Sequence, residues 1–293
     1  MFDYRLLQAL AAVVEQQGFE KAARQLCLTQ SAVSRRIQQL EHLLGQPVLV
    51  RVNPPKPTAV GWRLLSHLQQ VRQMEHALGL GDSPATLTVR LATNADSLAS
   101  WLPAALAAAT AQASALRFEL LVEDQSVGLK RMQQGDVMAC ICDSPAPVSG
   151  GAVSYLGALR YRAVASPALI DRYQLTPLAP ERLLSAPCLV FNAADQLQHQ
   201  YVQQQTGQLP QQLHYCPSAE GFLLAVQAGL GFGLLPELQI KPQLASGQLL
   251  ELTPGYQLDT PLYWHHWQTE SPLLTLLRHC CLVQARQKLV QPD

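Results

Sequence analysis

Between Thr29 and Gly45 the chain carries the signal that most narrows its fold. Val33, Ile37, Leu40 and Leu44 recur at steps of four, three and four, which sets them on one face of a helix. Thr29 offers a side-chain oxygen to cap that helix, and Gly45 closes it without a steric cost. At about 100° per residue, the opposite face presents Ser31, Ser34, Arg35, Gln38 and His42. Serine, glutamine and arginine hydrogen-bond base edges and phosphates. The competing reading is a plain solvated face.

The preceding segment favours DNA. Asp3 can cap a helix to about Gln17, striped by Leu6, Leu10, Val13 and Val14. Gly18 ends it. Phe19–Leu26 reads as a short second helix in which Ala22 and Ala23 admit a close neighbour, and Cys27-Leu28-Thr29 turns into the third. A helix-turn-helix over about residues 19–38 would lay its second helix in a major groove. Gln46–Asn53 is rich in β formers, and Pro54-Pro55-Lys56-Pro57 makes a stiff turn. This is the outline of a wing, with Arg51 and Lys56 near a tip suited to phosphate or minor-groove contact.

Charge is distributed in the same sense. The 293 residues hold 21 Lys+Arg and 21 Asp+Glu, for a formal charge of zero. Met1–Leu78 carries 9 basic against 5 acidic residues, or +4, and Gly79–Asp293 carries 12 against 16, or −4. A basic head suits phosphates, and an acidic remainder suits a cationic or zwitterionic ligand. Seven cysteines, irregularly spaced and with Cys140/Cys142 and Cys280/Cys281 too close for ordinary disulfides, read as reduced thiols in the cytoplasm. No apolar run reaches the roughly 18 residues of a membrane span, and Met1–Arg5 does not begin a secretory signal.

Thr29–Gly45 (T-Q-S-A-V-S-R-R-I-Q-Q-L-E-H-L-L-G), followed by P-V-L-V-R at Pro47–Arg51 and Pro57-Thr58, resembles the LysR-type transcriptional regulators. D-Y-R-x-L-Q-A-L (Asp3–Leu10), G-F-E-x-A-A (Gly18–Ala23) and V-R-x-x-P-P-K-P-T (Val50–Thr58) resemble that family's arginine/lysine-responsive branch, also called chromosome initiation inhibitors. The resemblance implies a winged helix-turn-helix over 1–58, with Gln30, Ser31, Ser34, Arg35 and Arg36 at the DNA and Arg51 in the wing. Where the wider family has a further wing arginine, this chain has Pro54-Pro55.

Thr58 can cap a helix to about Leu78. Val60, Leu64, His67, Val71, Met74 and Leu78 alternate at four and three, a coiled-coil seam. The alternative is a face packed on its own domain. The resemblance implies a linker over 59–83 that makes a homodimer or homotetramer, with a hinge at Gly79–Pro84.

From Leu87 short apolar strands alternate with helices, which predicts an α/β domain with mainly parallel sheets. The strands fall at Leu87–Ala92, Arg117–Val122, Val137–Cys142, Val153–Leu159, Cys188–Phe191, Leu213–Cys216, Gly231–Leu235, Leu249–Leu252 and Leu262–His265. The main helices fall at Ser97–Ala111, Val127–Gln134, Pro167–Gln174, Asp195–Gln205, Ala219–Ala228 and Pro272–Leu289. Ligands in such folds sit at the carboxyl ends of strands. Three junctions there are polar, and supply Asn94, Asp96 and Ser97, then Glu123 and Asp124, then Ser218 and Glu220. Helix N-termini suit a carboxylate, and Asp96, Glu123 and Asp124 suit an ammonium or guanidinium. Together they describe an amino-acid site; taken singly, such residues also cap helices and turns.

N-A-D-S-L-A (Asn94–Ala99), V-E-D (Val122–Asp124), A-S-G-Q-L-L-E-L-T-P-G (Ala245–Gly255) and L-Y-W-H (Leu262–His265) resemble the same branch, and G-L-G-F-G-L-L-P (Gly229–Pro236) the wider family. The family implies a periplasmic-binding-protein-like effector domain over 84–293. One subdomain takes about 84–160 and 262–293, the other about 161–261, and the effector lies between them. Residues 143–215 carry no matching motif.

Other chemistries are disfavoured. Gly229–Gly233 runs helix to strand, the reverse of a dinucleotide loop. His265 and His266 point to opposite faces of a strand and cannot share a metal. No GxSxG, HExxH or P-loop is present, so neither catalysis, a metal nor a cofactor is expected. The expectation is a cytoplasmic, nucleoid-associated regulator of transcription that binds double-stranded promoter DNA, meets RNA polymerase and senses a basic amino acid, lysine or arginine. The alternatives are an architectural DNA binder with an oligomerising, ligand-independent C-terminal domain, or a stand-alone binding protein or enzyme with a vestigial head.

Overall fold

The computed structural model describes residues 3–50, 52–77, 86–123, 125–134, 136–177 and 179–292. Arg51, Leu78, the hinge at Gly79–Pro84 and Asp124 lie outside them.

The head is built from α1 (Tyr4–Glu15), α2 (Phe19–Gln25) and α3 (Gln30–Leu44). Asp3 caps α1 by accepting the Arg5 N–H, and Thr29 caps α3 by accepting the Ala32 N–H at 3.2 Å. Gly45 closes α3 at φ +67°, a left-handed conformation that glycine takes without strain. Leu7, Leu10, Val13, Ala22, Val33, Ile37 and Leu40 meet in one buried core. The 4-3-4 spacing read along α3 is the seam of that core. Two short antiparallel strands follow, β1 (Leu49–Val50) and β2 (Lys56–Pro57), and form the wing. The head is thus a winged helix-turn-helix.

Thr58 then caps α4 (Ala59–Ala77), accepting the Gly61 N–H and donating to the Pro47 carbonyl. The predicted seam divides along α4. Val60 and Leu64 pack on the head core together with Leu65 and the buried Leu68, whereas Met74 is 45% exposed. His67 hydrogen-bonds the Tyr4 hydroxyl. The first half of the seam therefore serves the chain's own head, and Trp62 on the same helix lies against Arg90, whose guanidinium carbon is 3.7 Å from the ring centroid.

The remaining chain is an α/β domain. Its first half contains β3 (Leu87–Thr93), α5 (Ala95–Ala99), α6 (Leu102–Gln112), β4 (Leu116–Val122), α7 (Gln125–Gln134) and β5 (Ala139–Cys142). β6 (Gly151–Ala165) leads into α8 (Pro167–Tyr173), α9 (Pro180–Ser185), β7 (Cys188–Val190), α10 (Leu197–Thr206), β8 (Leu213–Tyr215), α11 (Ala219–Gln227), β9 (Gly233–Pro236), α12 (Glu237–Ala245) and β10 (Leu250–Glu251). β11 (Leu258–Trp267) returns, and α13 (Pro272–Lys288) closes the chain.

The sheet order is β10-β6-β11-β5-β3-β4, with β9 also on β6. β3 pairs in parallel with β4 and β5, but β11 and β6 are antiparallel to their neighbours. The expected mainly parallel sheet is thus mixed, because two long strands carry the chain across between the halves. β6 pairs with β11 along Gly151–Tyr161 and with β9 along Tyr161–Val164, so one strand belongs to both. The predicted Val153–Leu159 caught only its middle. The predicted helix Ser97–Ala111 is broken at Ser100-Trp101, where Pro103 starts α6 and the Trp101 side chain is buried.

Candidate functional site

Two sites follow from this frame, one on the head and one in the α/β domain. On α3, Gln30, Ser31, Arg35 and Gln38 are exposed, and Ser34 and Arg36 are half-buried. Val33, Ile37 and Leu40 are buried on the other side from Ser31, Arg35 and Gln38, which form one outward polar face. Thr29 is exposed at the cap, its hydroxyl 3.0 Å from that of Ser31. Arg36 lies toward the start of α1: Arg5 first, and Arg36 more weakly, hold Asp3 below the usual carboxylate range. Lys56 is exposed on β2. No acidic residue occurs in α3 between Gln30 and Gln38.

The second site is a narrow cleft whose open space, solvent at its mouth included, is about 280 Å³. Asp96, Phe191, Asp195, Gln198, Ala219 and Phe222 are among its lining residues. They come from both halves: Asp96 from α5, Asp195 and Gln198 from the start of α10, and Ala219 and Phe222 from α11. Asn94 caps α5 by accepting the Ser97 N–H at 3.2 Å. Ser97 is fully buried, and its Oγ has no hydrogen-bond partner among the described residues.

Asp96 is the chemically distinctive group. Its Oδ2 accepts the Tyr161 hydroxyl at 2.7 Å. Loss of hydration on burial, reinforced by the nearby charge of Asp195 and opposed by the Tyr161 hydrogen bond, pushes its carboxyl from 3.8 up to about 6. The folded state therefore holds the proton more tightly than the unfolded chain. The resulting penalty is absent below pH 3.8, grows between there and about 6, and is complete above it. Removing the charge with Asp96→Asn is expected to stabilise the empty protein at pH 7.5 by up to about 3 kcal/mol and to leave it unchanged near pH 3.5. Thermal unfolding at the two pH values checks this; an equal shift at both contradicts a charge-based cause.

The structure distributes the other sequence candidates unevenly. Ser218 caps α11, its Oγ accepting the Gly221 N–H at 3.1 Å, and is exposed at the rim beside Ala219. Glu220 is exposed in the first turn of α11. Glu123 is not among the residues lining the cleft and pairs with Arg131, which also reaches Asp136 at 3.7 Å. An arginine one helix away satisfies it locally, as alternation alone could not foresee. Tyr161 and Asp195 were missed. Tyr161 lies on the part of β6 beyond the predicted strand, and Asp195 was read only as a helix start.

A hollow of about 320 Å³ lies elsewhere, over Arg160, Glu237, Lys241 and Lys288. Arg160 there is held by Asp259 through two hydrogen bonds, and Glu237 by Arg162, so it is organised as ion pairs along β6. Among the described residues no group of three or more His, Cys, Asp or Glu could hold a metal, and no helix is long and apolar enough to cross a membrane. All seven cysteines are free thiols.

Comparisons with known proteins cover both parts of the chain. Residues 4–62 match the bacterial regulatory helix-turn-helix protein of the lysR family, and residues 83–286 match the LysR substrate binding domain. The HTH-type transcriptional regulator ArgP of Pseudomonas fluorescens Pf-5 is 51% identical over 282 residues, 94% of each chain. Among solved structures, ArgP from Mycobacterium tuberculosis has a TM-score of 0.82 at 32% identity, covering 100% of both chains. Full-length LysG from Corynebacterium glutamicum with bound effector Arg has a TM-score of 0.74 at 32% identity, covering 99% of this chain and 100% of that one. With both parts of the chain matched and the relatives aligned end to end, the chain belongs to the LysR family of bacterial helix-turn-helix regulators.

Proposed function

We propose that the chain is a cytoplasmic regulator of transcription that reads promoter DNA sequence-specifically and is controlled by a basic amino acid, arginine or lysine. The observation that carries the effector assignment is the cleft with the half-buried Asp96 in its lining, since a carboxyl that has lost part of its water gains from a bound cation. Asn94 and Ser97 are its neighbours in sequence, and Glu123, Asp124, Ser218 and Glu220 complete the proposed effector set. The bound arginine of the LysG relative supports the same ligand class.

On the DNA side, Thr29, Gln30, Ser31, Ser34, Arg35, Arg36 and Gln38 take the groove, and Arg51 and Lys56 take the backbone beside it. A head with a charge of only +4 over residues 1–78 makes few phosphate contacts, so two or four heads, joined through the linker over 59–83, supply the affinity. The working division is 1–58, 59–83 and 84–293, the last split at about 160 and 261. RNA polymerase is the partner through which a bound dimer or tetramer alters transcription.

A thermal-shift screen of the twenty amino acids tests the effector. At a hundredfold excess over Kd a ligand stabilises by about 2.7 kcal/mol. Arginine or lysine is therefore expected to raise Tm by several degrees, with acidic and apolar amino acids inert. A shift from acidic amino acids alone, or from none, overturns the assignment.

A further inference from the structure

The hollow beside the crossing strand carries charge that neither site uses. Side chains alternate along β6, so Arg160 faces away from Tyr161 and its partner Asp96. The hollow has about 320 Å³ of open space, solvent at its mouth included. Its lining includes Ala158 and Arg160 from β6, Glu237 and Lys241 from α12, and Lys288 and Val290 from the end of α13 and just beyond.

These elements come from different parts of the domain. α12 lies in the segment between β6 and β11, and α13 in the segment after β11. The end of α13 is tied to β6 by backbone. Ala158 donates to the Val290 carbonyl at 2.8 Å, and Val290 donates back at 3.0 Å. The Gln291 amide donates to the Leu156 carbonyl at 3.0 Å. Lys288 therefore starts from a fixed point, two residues before that tie.

The carboxylates nearby are already engaged. Asp259 holds Arg160 through two hydrogen bonds, at 2.8 and 2.7 Å. Lys241 stands one turn after Glu237, a spacing at which glutamate and lysine ordinarily pair. Here Arg162 takes the Glu237 carboxylate at 2.8 Å and also reaches Glu251 at 4.0 Å. Lys241 and Lys288 are exposed, and neither has an ion-pair partner among the described residues. Two lysines on a convex surface would simply be hydrated. Here they line one concavity, with Arg160 as a third cation and Glu237 as the one carboxylate of the lining.

We propose that this hollow is a second ligand site, which takes a small phosphate-type dianion between Lys241 and Lys288. Each lysine brings a compact charge with three donors on a flexible stem, which suits phosphate oxygens. Arg160, held in place by Asp259, adds positive charge at the strand. A ligand held by both lysines ties α12 to the end of α13 next to the crossing strand. The site lies apart from the cleft and gives the chain an anionic input besides the amino acid. It does not depend on the effector assignment.

The test is isothermal titration calorimetry of the full chain with inorganic phosphate at pH 8. Sodium chloride holds the ionic strength constant, so that screening does not change during the titration. The expected result is saturable binding of one phosphate per chain, with a Kd of about 1 mM or tighter. Lys241→Gln and Lys288→Gln are each expected to weaken it about tenfold, the worth of one hydrogen bond to a charged group. Both positions are exposed, so the thermal transition is expected to stay in place. Lys130→Gln, which changes an exposed lysine on α7 outside the hollow, is expected to leave the affinity unchanged. Succinate, whose two charges sit on separate groups, is expected to bind more weakly than phosphate. No saturable binding, an unchanged affinity in the Lys241→Gln/Lys288→Gln double variant, or an equal loss from Lys130→Gln overturns the site. Succinate binding in preference to phosphate overturns the phosphate-type ligand.

Discussion

Replacing Gln30 and Arg35 together by alanine is expected to weaken binding to promoter DNA by about two orders of magnitude. Both side chains are exposed on the first two turns of α3, Gln30 at its first position and Arg35 on the side away from Val33, Ile37 and Leu40. A well-made base contact discriminates by about 1–3 kcal/mol, and about 1.4 kcal/mol is a factor of ten, so losing two gives roughly 100-fold. Exposed substitutions of this kind shift stability by no more than about 0.5 kcal/mol. The variant is therefore expected to keep its thermal transition while losing DNA, as read by fluorescence anisotropy at fixed salt. A loss below threefold would place the DNA surface elsewhere.

The second large effect is structural. Gly61 lies in the first turn of α4, where an added Cβ would run into the Val48 carbonyl oxygen and stand 3.2 Å from Pro57 Cβ. That carbonyl is not free to move, because it accepts the Thr58 N–H at 3.0 Å at the base of the wing. Gly61→Ala is expected to cost about 1–3 kcal/mol through overpacking, and at about 4–8 °C per kcal/mol for a domain of this size the head's transition falls by roughly 10 °C. Alanine favours helix over glycine by about 1 kcal/mol, so a Tm that stays level or rises would show that α4 and the wing are not locked together. DNA affinity is expected to fall with the head, whereas arginine binding in the distant cleft is not.

The head was legible in the sequence because its signals are local. Thr29, Gly45 and the Val33–Leu44 spacing are each explained within α3, and the helix they predict has the bounds observed, Gln30–Leu44. The α/β domain was legible in its alternation and less so in its connections. β6 reads as a short strand because the partners of Gly151–Tyr161 and of Tyr161–Val164 lie about a hundred and about seventy residues further on. Two helices were missed. Glu237–Ala245 contains Pro242, and Pro180–Ser185 is too short to show a period.

The cleft shows the same limit. Asp96 was found because Asn94-Ala95-Asp96-Ser97 opens a helix after a strand, a local pattern. Tyr161 is 65 positions away and Asp195 is 99 positions away, and only the crossing of β6 and β11 brings the halves of the domain together around Asp96. Glu123 shows the same limit from the other side. Its local pattern was as good as that of Asp96, but α7 supplies Arg131 to occupy it.

The most direct measurement is anisotropy of a DNA fragment from the chain's own promoter region, labelled at both ends for energy transfer. It is titrated with the full-length protein at modest salt, with and without saturating arginine or lysine. A ligand-controlled reader binds that fragment in preference to scrambled DNA. With the amino acid present, affinity changes by at least about fivefold, the low end of typical coupling between sites, or the end-to-end transfer shifts as the bend changes. Equal affinity for scrambled DNA, or identical affinity and transfer with both amino acids at saturation, would contradict it.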